Sequence, residues 1–332
     1  MKFGTEEIRE TAATLGFRPD SLEKVFRLLS LLETLRSNTF LRPRVALKGG
    51  TALNLFLFDV PRLSVDIDLN YVGSGDRDTM LADKPKVEQA IAAVCTREGL
   101  TVKRMPSEHA GGKWRLSFVN AAGTSDNLEV DLNFMLRVPL WPVATLDSKP
   151  LGPAMARDIA VVDRHELAAG KLAALVARNA SRDIFDAREL LRRTDLDRDK
   201  LRIAFVVYGG LNRKDWRTVR IEDVAAAEPS ELKRELVPML RAEVRPKDAA
   251  IVTWAEDLVR ETRALMSAVL PLEAHELQFV ERLNGAGDIA PELLTSDPAM
   301  QATIREQPGL KWKAMNVKKQ LGGTPAAGNE PP

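Results

Sequence analysis

Residues 64–69 read Ser-Val-Asp-Ile-Asp-Leu, a regular alternation of polar and apolar side chains. Successive side chains of a β-strand point to opposite faces, so the pattern predicts a half-buried strand with Asp66 and Asp68 on its polar face. Two carboxylates placed in this way lie within reach of one metal site, and Mg²⁺ prefers oxygen ligands of this kind. The same D-x-D spacing also occurs on the solvated face of ordinary strands, so the pair alone identifies no chemistry.

A glycine pair lies upstream of this strand. Residues 45–47 predict a very short strand that runs into Gly49 and Gly50, and a helix is predicted to start at Thr51. Backbone N–H groups and the helix dipole make such a strand-to-helix junction a ready anion site. Gly49, Gly50 and Thr51 are therefore candidate ligands of nucleotide phosphates, although Gly-Gly is also common in tight turns.

Three more side chains are candidates in this part of the chain. The alternation recurs over residues 128–134, and Asp131 on a neighbouring strand would give two-metal chemistry its third carboxylate. Arg62 and Ser64 stand just ahead of the acid pair, where a cation and a hydroxyl could hold triphosphate oxygens. The alternatives are structural. Asp131 and Glu129 could form the wet side of a sheet, and Arg62 could pair with a nearby aspartate.

A second charged group is predicted on two consecutive helices downstream. Lys171 and Arg178 are seven residues apart, so they share one helix face, and Asp183 begins the next helix. A lysine directed into a phosphate site would stabilise the leaving pyrophosphate. The alternative needs no chemistry. Asp183 and Asp186 suit the first turn of a helix with Ser181 as its cap, and a Lys-x₆-Arg spacing usually marks a solvated face.

Strand patterns give way to helical ones after a cluster of prolines between residues 139 and 153. We therefore predict an α+β protein with three parts. They are a mixed-sheet domain with flanking helices over residues 1–150, a mostly helical domain over residues 151–320 and a disordered tail over residues 321–332.

Composition narrows the classes of function. The 48 basic and 47 acidic residues give a net charge of +1, so no global field attracts nucleic acid. One cysteine and three histidines exclude a disulfide framework and a zinc cage of the His/Cys type. No secretory signal and no run of about 18 apolar residues is visible, so we expect a cytoplasmic protein without membrane contact.

Two blocks of residues resemble the AbiEii/AbiGii-type nucleotidyltransferase toxins, a family that includes the mycobacterial MenT toxins and belongs to the polymerase-beta-like superfamily. The first block, KGGTAL at residues 48–53 and RLSVDIDL at 62–69, is similar to the family's GGT-A-L and R-x-S-x-D-I-D-L signature. The second block, KLAAL at 171–175, Arg178 and RDIFD at 182–186, is similar to its K-L-x-A-L, R and R-D-x-x-D pattern.

The resemblance implies a fold and a set of ligand residues. The fold is a nucleotidyltransferase core joined to a C-terminal helical bundle, with the cleft between them. Carried over position by position, the resemblance implies that Gly50, Thr51 and Ser64 hold nucleotide phosphates and that Asp66 and Asp68 bind Mg²⁺.

It further implies that Lys171 and Asp183 complete the active site from the helical domain. Asp131 matches the superfamily's third acid only by its strand pattern.

The implied function is that of a toxin with an AbiEi-like antitoxin, which moves a nucleotide from an NTP to the 3′ end of a tRNA and blocks aminoacylation. An RNA acceptor needs a basic surface, and residues 182–220 hold eleven basic against seven acidic residues, a modest excess. Two alternatives stay open. The acceptor could be a small molecule or a protein side chain, or the chain could be a non-catalytic NTP-binding module.

Overall fold

The computed structural model describes residues 4–104, 110–193, 195–225 and 227–322. Its chain forms two compact units. Unit 1 consists of Met1–Arg137, Val143–Val162 and Lys233–Lys247, and unit 2 of Val138–Pro142, Asp163–Leu232 and Asp248–Pro332.

Unit 1 combines a mixed sheet with helices. Its helices are α1 (Thr5–Leu15), α2 (Pro19–Ser37), α3 (Gly49–Thr51), which continues as a π-helical turn over Ala52–Leu57, and α4 (Arg77–Arg97). Its strands are β1 (Val45–Lys48), β2 (Asp66–Tyr71), β3 (Thr101–Arg104), β4 (Gly111–Val119), β5 (Ser125–Asn133), β6 (Ala144–Leu146) and β7 (Ile159–Val161). The strand order is β3-β4-β5-β2-β1-β7-β6, with β2 parallel to β5 and antiparallel to β1.

The alternation along β2 and β5 separates a core face of the sheet from a polar face. Ile67, Leu69, Val130 and Leu132 are all buried on the core side. Burying side chains of this size contributes roughly 1.5–3 kcal/mol each, which fixes the register because a slip by one residue would turn every apolar group to the other face. The acids between them therefore share the opposite face. The α+β class and the predicted strand are confirmed.

Unit 2 is helical in the part of the chain that the structure describes. Its helices are α5 (Arg164–Arg178), α6 (Ser181–Leu191), α7 (Arg198–Leu211), α8 (Pro229–Glu231), α9 (Ile251–Leu265), α10 (Ala274–Ala286), α11 (Pro298–Arg305) and α12 (Pro308–Leu321). The central helix α5 packs against α6 and α7. It begins after Asp163, whose carboxylate accepts a hydrogen bond from the His165 N–H, and ends at Asn179 in the left-handed conformation.

A buried carboxylate fastens the segment Val138–Pro142 to α5. Glu166 accepts hydrogen bonds from the N–H groups of Leu140 (2.9 Å) and Trp141 (3.2 Å) and from the Tyr208 hydroxyl (3.1 Å). Burial raises the pKa of Glu166 to about 7, and the hydrogen bonds from Leu140, Trp141 and Tyr208 only partly oppose this shift. The folded protein therefore holds a proton on this group at a pH where the unfolded chain has lost it.

The two units differ from the predicted domains in two respects. Residues 151–162 stay with the sheet, since Val161 of β7 pairs with Leu47 of β1. Residues 233–247 also belong to unit 1. There the Leu63 N–H donates to the Met239 carbonyl at 2.8 Å, a long-range backbone pairing that no local pattern reveals. The sheet-bearing unit therefore extends past the predicted boundary at residue 150.

The predicted helical domain is irregular between α8 and α9. Residues 232–239 form a series of short helical turns around Pro238, because proline cannot continue a regular helix. A regular helix resumes only at Ile251–Leu265. Most of the predicted disordered tail, residues 323–332, lies outside the described residues. None of the described helices is long and apolar enough to cross a membrane.

Candidate active site

The polar face of the sheet in unit 1 brings the predicted acids together. Asp68 of β2 is the direct cross-strand partner of Asp131 of β5, and Asp66 is the partner of Glu129 in the same parallel pairing. Directly paired residues on neighbouring strands have β-carbons about 5 Å apart. Asp68 and Asp131 therefore face the same small volume, with Asp66 one pleat away.

The pKa of Asp131 is raised in this environment. Burial raises the pKa of Asp131, the charge of Asp68 raises it further, and the cations Lys48 and Lys113 oppose the shift. A cation bound beside Asp131 would offset the charge of Asp68 and favour the ionised form of Asp131. The face is therefore electrostatically prepared for a positive ligand.

The glycine pair lies directly against these acids. Gly49 has a φ of +74°, and a β-carbon built on it would stand 2.1 Å from Oδ2 of Asp68. No side chain fits in that space, so glycine is required both for the backbone conformation and for the close approach. The chain then enters α3, whose first N–H groups lack acceptors within the helix. Gly49 and Gly50 therefore form a tight turn directly beside the acid pair, with backbone geometry suited to an anion.

Ser64 and Arg62 converge on the second glycine. A β-carbon on Gly50 would stand 3.0 Å from the Ser64 hydroxyl oxygen and 3.1 Å from Nη2 of Arg62. Arg62 is buried, and its Nη1 donates to the Leu63 carbonyl at 2.8 Å. Ser64 is partly exposed. Of the two side chains, the hydroxyl of Ser64 is therefore the more accessible to a ligand.

Thr51 has a structural link to the acid strand. Its side chain is fully buried, and its hydroxyl donates to the main-chain carbonyl of Asp66 at 2.5 Å. Asn54 in the next turn donates to the Gly50 carbonyl at 3.0 Å. Because its hydroxyl proton is engaged in this way, a phosphate contact from Thr51 would come from its backbone N–H. Its side chain joins the glycine turn to the backbone of the acid strand.

These residues suit a divalent cation held jointly by protein and substrate. Among the described residues, no group of three or more His, Cys, Asp or Glu side chains converges closely enough to hold a metal by itself. Mg²⁺ rarely needs such a cage, because one or two carboxylates plus substrate phosphates complete its shell. The all-oxygen donor set of Asp66, Asp68 and Asp131 fits that arrangement.

Unit 2 brings its predicted residues into one ion network. Nζ of Lys171 lies 2.8 Å from Asp183 and 3.0 Å from Asp186, and Nε of Arg178 lies 2.6 Å from Asp183. Both aspartates are buried, whereas the Arg178 side chain is 65% exposed. Burial would raise the pKa of Asp183, but Lys171 and Arg178 outweigh it and hold the pKa below the ordinary value. Lys171 and Arg178 do share a helix face, as their spacing predicts.

Ser181 does not cap α6, as the structural alternative had it. It is the first residue of the helix, and its hydroxyl has no hydrogen-bond partner among the described residues. The carboxylate of Glu231 instead accepts the Ser181 N–H at 2.8 Å. Because Glu231 lies fifty residues further along the chain, no local sequence pattern could predict that its carboxylate accepts the Ser181 N–H.

Two cations beside the acids were not predicted. Lys113 of β4 is the cross-strand partner of Asp131, and Arg115 is the partner of Glu129. Partial burial would lower the pKa of Lys113, but the hydrogen bond and charge of Glu129, with the charges of Asp131 and Asp66, raise it. Their alternation in the sequence Gly-Lys-Trp-Arg-Leu was a usable signal, since it places both cations on one strand face.

Comparison with known proteins supports the same assignment. The family model described as nucleotidyl transferase AbiEii toxin, type IV toxin–antitoxin system, matches residues 30–326. No curated protein matches the chain. Among solved structures, the chain is similar to MenT4, a nucleotidyltransferase toxin from Mycobacterium tuberculosis H37Rv. The identity is 19% and the TM-score 0.57, over 95% of this chain and 99% of the other.

The structural similarity establishes the fold, and the family model covers nearly the whole length. The resemblance seen in the two sequence blocks is thereby confirmed. The chain belongs to the AbiEii family and is a nucleotidyltransferase toxin of a toxin–antitoxin system.

Proposed function

We propose that the protein transfers a nucleoside monophosphate from an NTP to the 3′ end of a tRNA, with Asp66 and Asp68 as its central catalytic residues. The observation that carries the proposal is the pairing of Asp68 with Asp131 directly beside the Gly49 turn. Acids next to an anion-binding turn are what a phosphoryl-transfer site needs. An acceptor with a free hydroxyl completes the reaction.

In this reaction the acceptor hydroxyl oxygen attacks the α-phosphorus of the NTP. A new oxygen–phosphorus bond forms, the bond to the β-phosphate breaks, and pyrophosphate and one proton are released. Asp66 and Asp68, with Asp131, would hold Mg²⁺, which when bound lowers the pKa of the attacking hydroxyl and neutralises phosphate charge. The Gly49 turn and the Ser64 hydroxyl would orient the phosphates, and their contacts tighten as charge develops.

The ion network of unit 2 is part of the proposal through the family pattern. On that pattern, we assign catalytic roles to Lys171 and Asp183 and a nucleotide-binding role to Arg178. The exposure of Arg178 supports a ligand role for its guanidinium. Lys171 is held by two buried carboxylates, so its ammonium is fixed in place before any phosphate arrives.

Modification of the tRNA 3′ end would prevent aminoacylation and stop translation, which accounts for a toxin. The proposal includes a cytoplasmic site of action and an AbiEi-like antitoxin as the neutralising partner. Both follow from the family rather than from any contact in the structure.

The test is label transfer to intact and to 3′-blocked tRNA. Purified protein is incubated with Mg²⁺, each α-³²P-labelled NTP and total tRNA, either untreated or oxidised with periodate to remove the 3′-terminal diol. We expect label on untreated tRNA and none on oxidised tRNA. Equal labelling of both would refute the 3′ end as the acceptor. Labelling of neither would move the acceptor to a small molecule or a protein side chain.

A further inference from the structure

The acids occupy the middle of a row of charges that crosses the sheet. In register, this row runs from Lys48 on β1 through Asp68 on β2 and Asp131 on β5 to Lys113 on β4. Neighbouring strands lie about 4.8 Å apart, so β4 stands about 14 Å from β1, the strand that leads into the glycine turn. Cations on β4 are therefore on the far side of the acids from the phosphate-binding turn.

The two cations on β4 are largely exposed, although each of them forms an ion pair. The side chains of Lys113 and Arg115 are 59% and 60% exposed, and both contact the same carboxylate, Glu129, at 3.2 and 3.4 Å. The single charge of Glu129 cannot neutralise both cations, and Asp131 opposite Lys113 offsets only part of the remainder, so the Arg115 end of the pair is the less compensated one. Ion pairs this exposed contribute little to stability, so structure alone does not explain them.

A third cation lies directly across the next strand pair. After a register shift between Val102 and Arg104, Arg104 of β3 becomes the cross-strand partner of Arg115, and Arg104 is exposed. No ion pair joins Arg104 to an acid in the described ranges. Like charges directly opposite each other on neighbouring strands destabilise a sheet. An anion bound between the two guanidinium groups would convert this repulsion into attraction.

We propose that Lys113, Arg115 and Arg104 form a phosphate-binding strip that holds the sugar-phosphate backbone of the RNA acceptor. This inference rests on the proposed function and names the surface on which its acceptor lies. In-line attack places the acceptor and the leaving pyrophosphate on opposite sides of the α-phosphorus. With the pyrophosphate at the glycine turn on the β1 side, the acceptor enters from the β4 side, where the strip lies.

The reach of the NTP supports this choice of ligand. A triphosphate seated on the glycine turn cannot also span three strand spacings, whereas an RNA strand carries phosphates at regular intervals along its whole length. Arginine and lysine side chains are the usual partners of such phosphates. The strip therefore suits a polynucleotide.

The experiment measures binding directly, without turnover. Fluorescently labelled total tRNA is titrated with the protein in the absence of NTP, at several salt concentrations, for the wild type and the double variant Lys113→Gln/Arg115→Gln. The control is Lys86→Gln/Arg97→Gln, which removes two exposed cations from α4 of the same unit. The KM for the NTP is measured for all three proteins.

We expect the strip variant to bind tRNA about tenfold or more weakly and its log K against log [salt] slope to be shallower by about 1.5, the loss of two phosphate contacts. The control should bind like the wild type, and the KM for the NTP should not change. Glu129→Gln should bind tRNA more tightly, because it removes the carboxylate that competes for the same cations.

Equal tRNA affinity of the strip variant and the control would overturn the proposal. So would a raised KM for the NTP with unchanged tRNA binding, since the strip would then hold the NTP. A wild type that binds tRNA through the strip but transfers no nucleotide would refute the proposed function and leave the strip intact. Nucleotide transfer to tRNA together with unchanged tRNA binding by the strip variant would refute the strip and leave the proposed function intact.

Discussion

Alanine at position 49 tests whether the glycine turn positions the acid pair. The new β-carbon would stand 2.1 Å from Oδ2 of Asp68, and such contacts do not occur below 3.0 Å, so the carboxylate must move by about 1 Å. Misplacing a catalytic group by about 1 Å can lower the rate about 100-fold, or roughly 2.7 kcal/mol of transition-state stabilisation. We expect Gly49→Ala to lose about that much kcat/KM in a labelled-nucleotide transfer assay.

The chain offers a matched control for the backbone strain. Gly99 has a φ of +75°, nearly that of Gly49, but a β-carbon there would meet nothing within 4 Å. Both alanine variants should lose roughly 1–2 kcal/mol of stability through the left-handed conformation, measured by chemical unfolding. Only Gly49→Ala should lose activity. Equal activity of the two variants would refute the argument that Gly49 makes room for Asp68.

Three further variants test separate groups. Asp131→Asn relieves the repulsion with Asp68, so it should raise the free energy of unfolding in EDTA by about 1 kcal/mol while lowering transfer at least tenfold; a fully active variant would remove Asp131 from the site. Glu166 has its pKa raised from 4.5 to about 7, so its contribution to stability is complete below pH 4.5 and is lost as the pH rises through 7. The free energy of unfolding should fall by roughly 3 kcal/mol between pH 4.5 and 7. Chemical unfolding of Glu166→Gln should show a flatter pH dependence. The same pH profile in the variant and the wild type would contradict the raised pKa of Glu166. Lys171→Met removes the ammonium group that Asp183 and Asp186 share. The free energy of unfolding should fall by about 3–5 kcal/mol in thermal or chemical unfolding, and a loss below 1 kcal/mol would show that the network is not a buried one.

Local periodicity predicted the parts of the fold that depend on local burial. The alternation at residues 64–69 predicted β2 and the shared face of Asp66 and Asp68, because a two-residue period reports which side chains meet the core. The spacing of Lys171 and Arg178 predicted their common helix face in the same way.

Long-range pairing was beyond local patterns. The sequence could suggest that Asp131 lies on a neighbouring strand, but its register opposite Asp68 depends on the parallel pairing of β2 with β5. The return of residues 233–247 to unit 1 depends on backbone hydrogen bonds to Pro61 and Leu63, whose side chains carry no sign of them. The strip on β3 and β4 was missed because the alternation of Lys113 and Arg115 places two cations on one strand face but does not tell which residues lie opposite them.

One measurement tests directly whether Asp66 and Asp68 are the central catalytic residues. Wild-type protein and the variants Asp66→Asn and Asp68→Asn are incubated with Mg²⁺, tRNA and the same NTP labelled at either the α- or the γ-phosphate. Thermal unfolding confirms that each variant is folded. The account predicts that the wild type places α-label on the RNA and releases γ-label as pyrophosphate, and that neither variant does either. A folded Asp68→Asn that transfers label at a rate within tenfold of the wild type would contradict it.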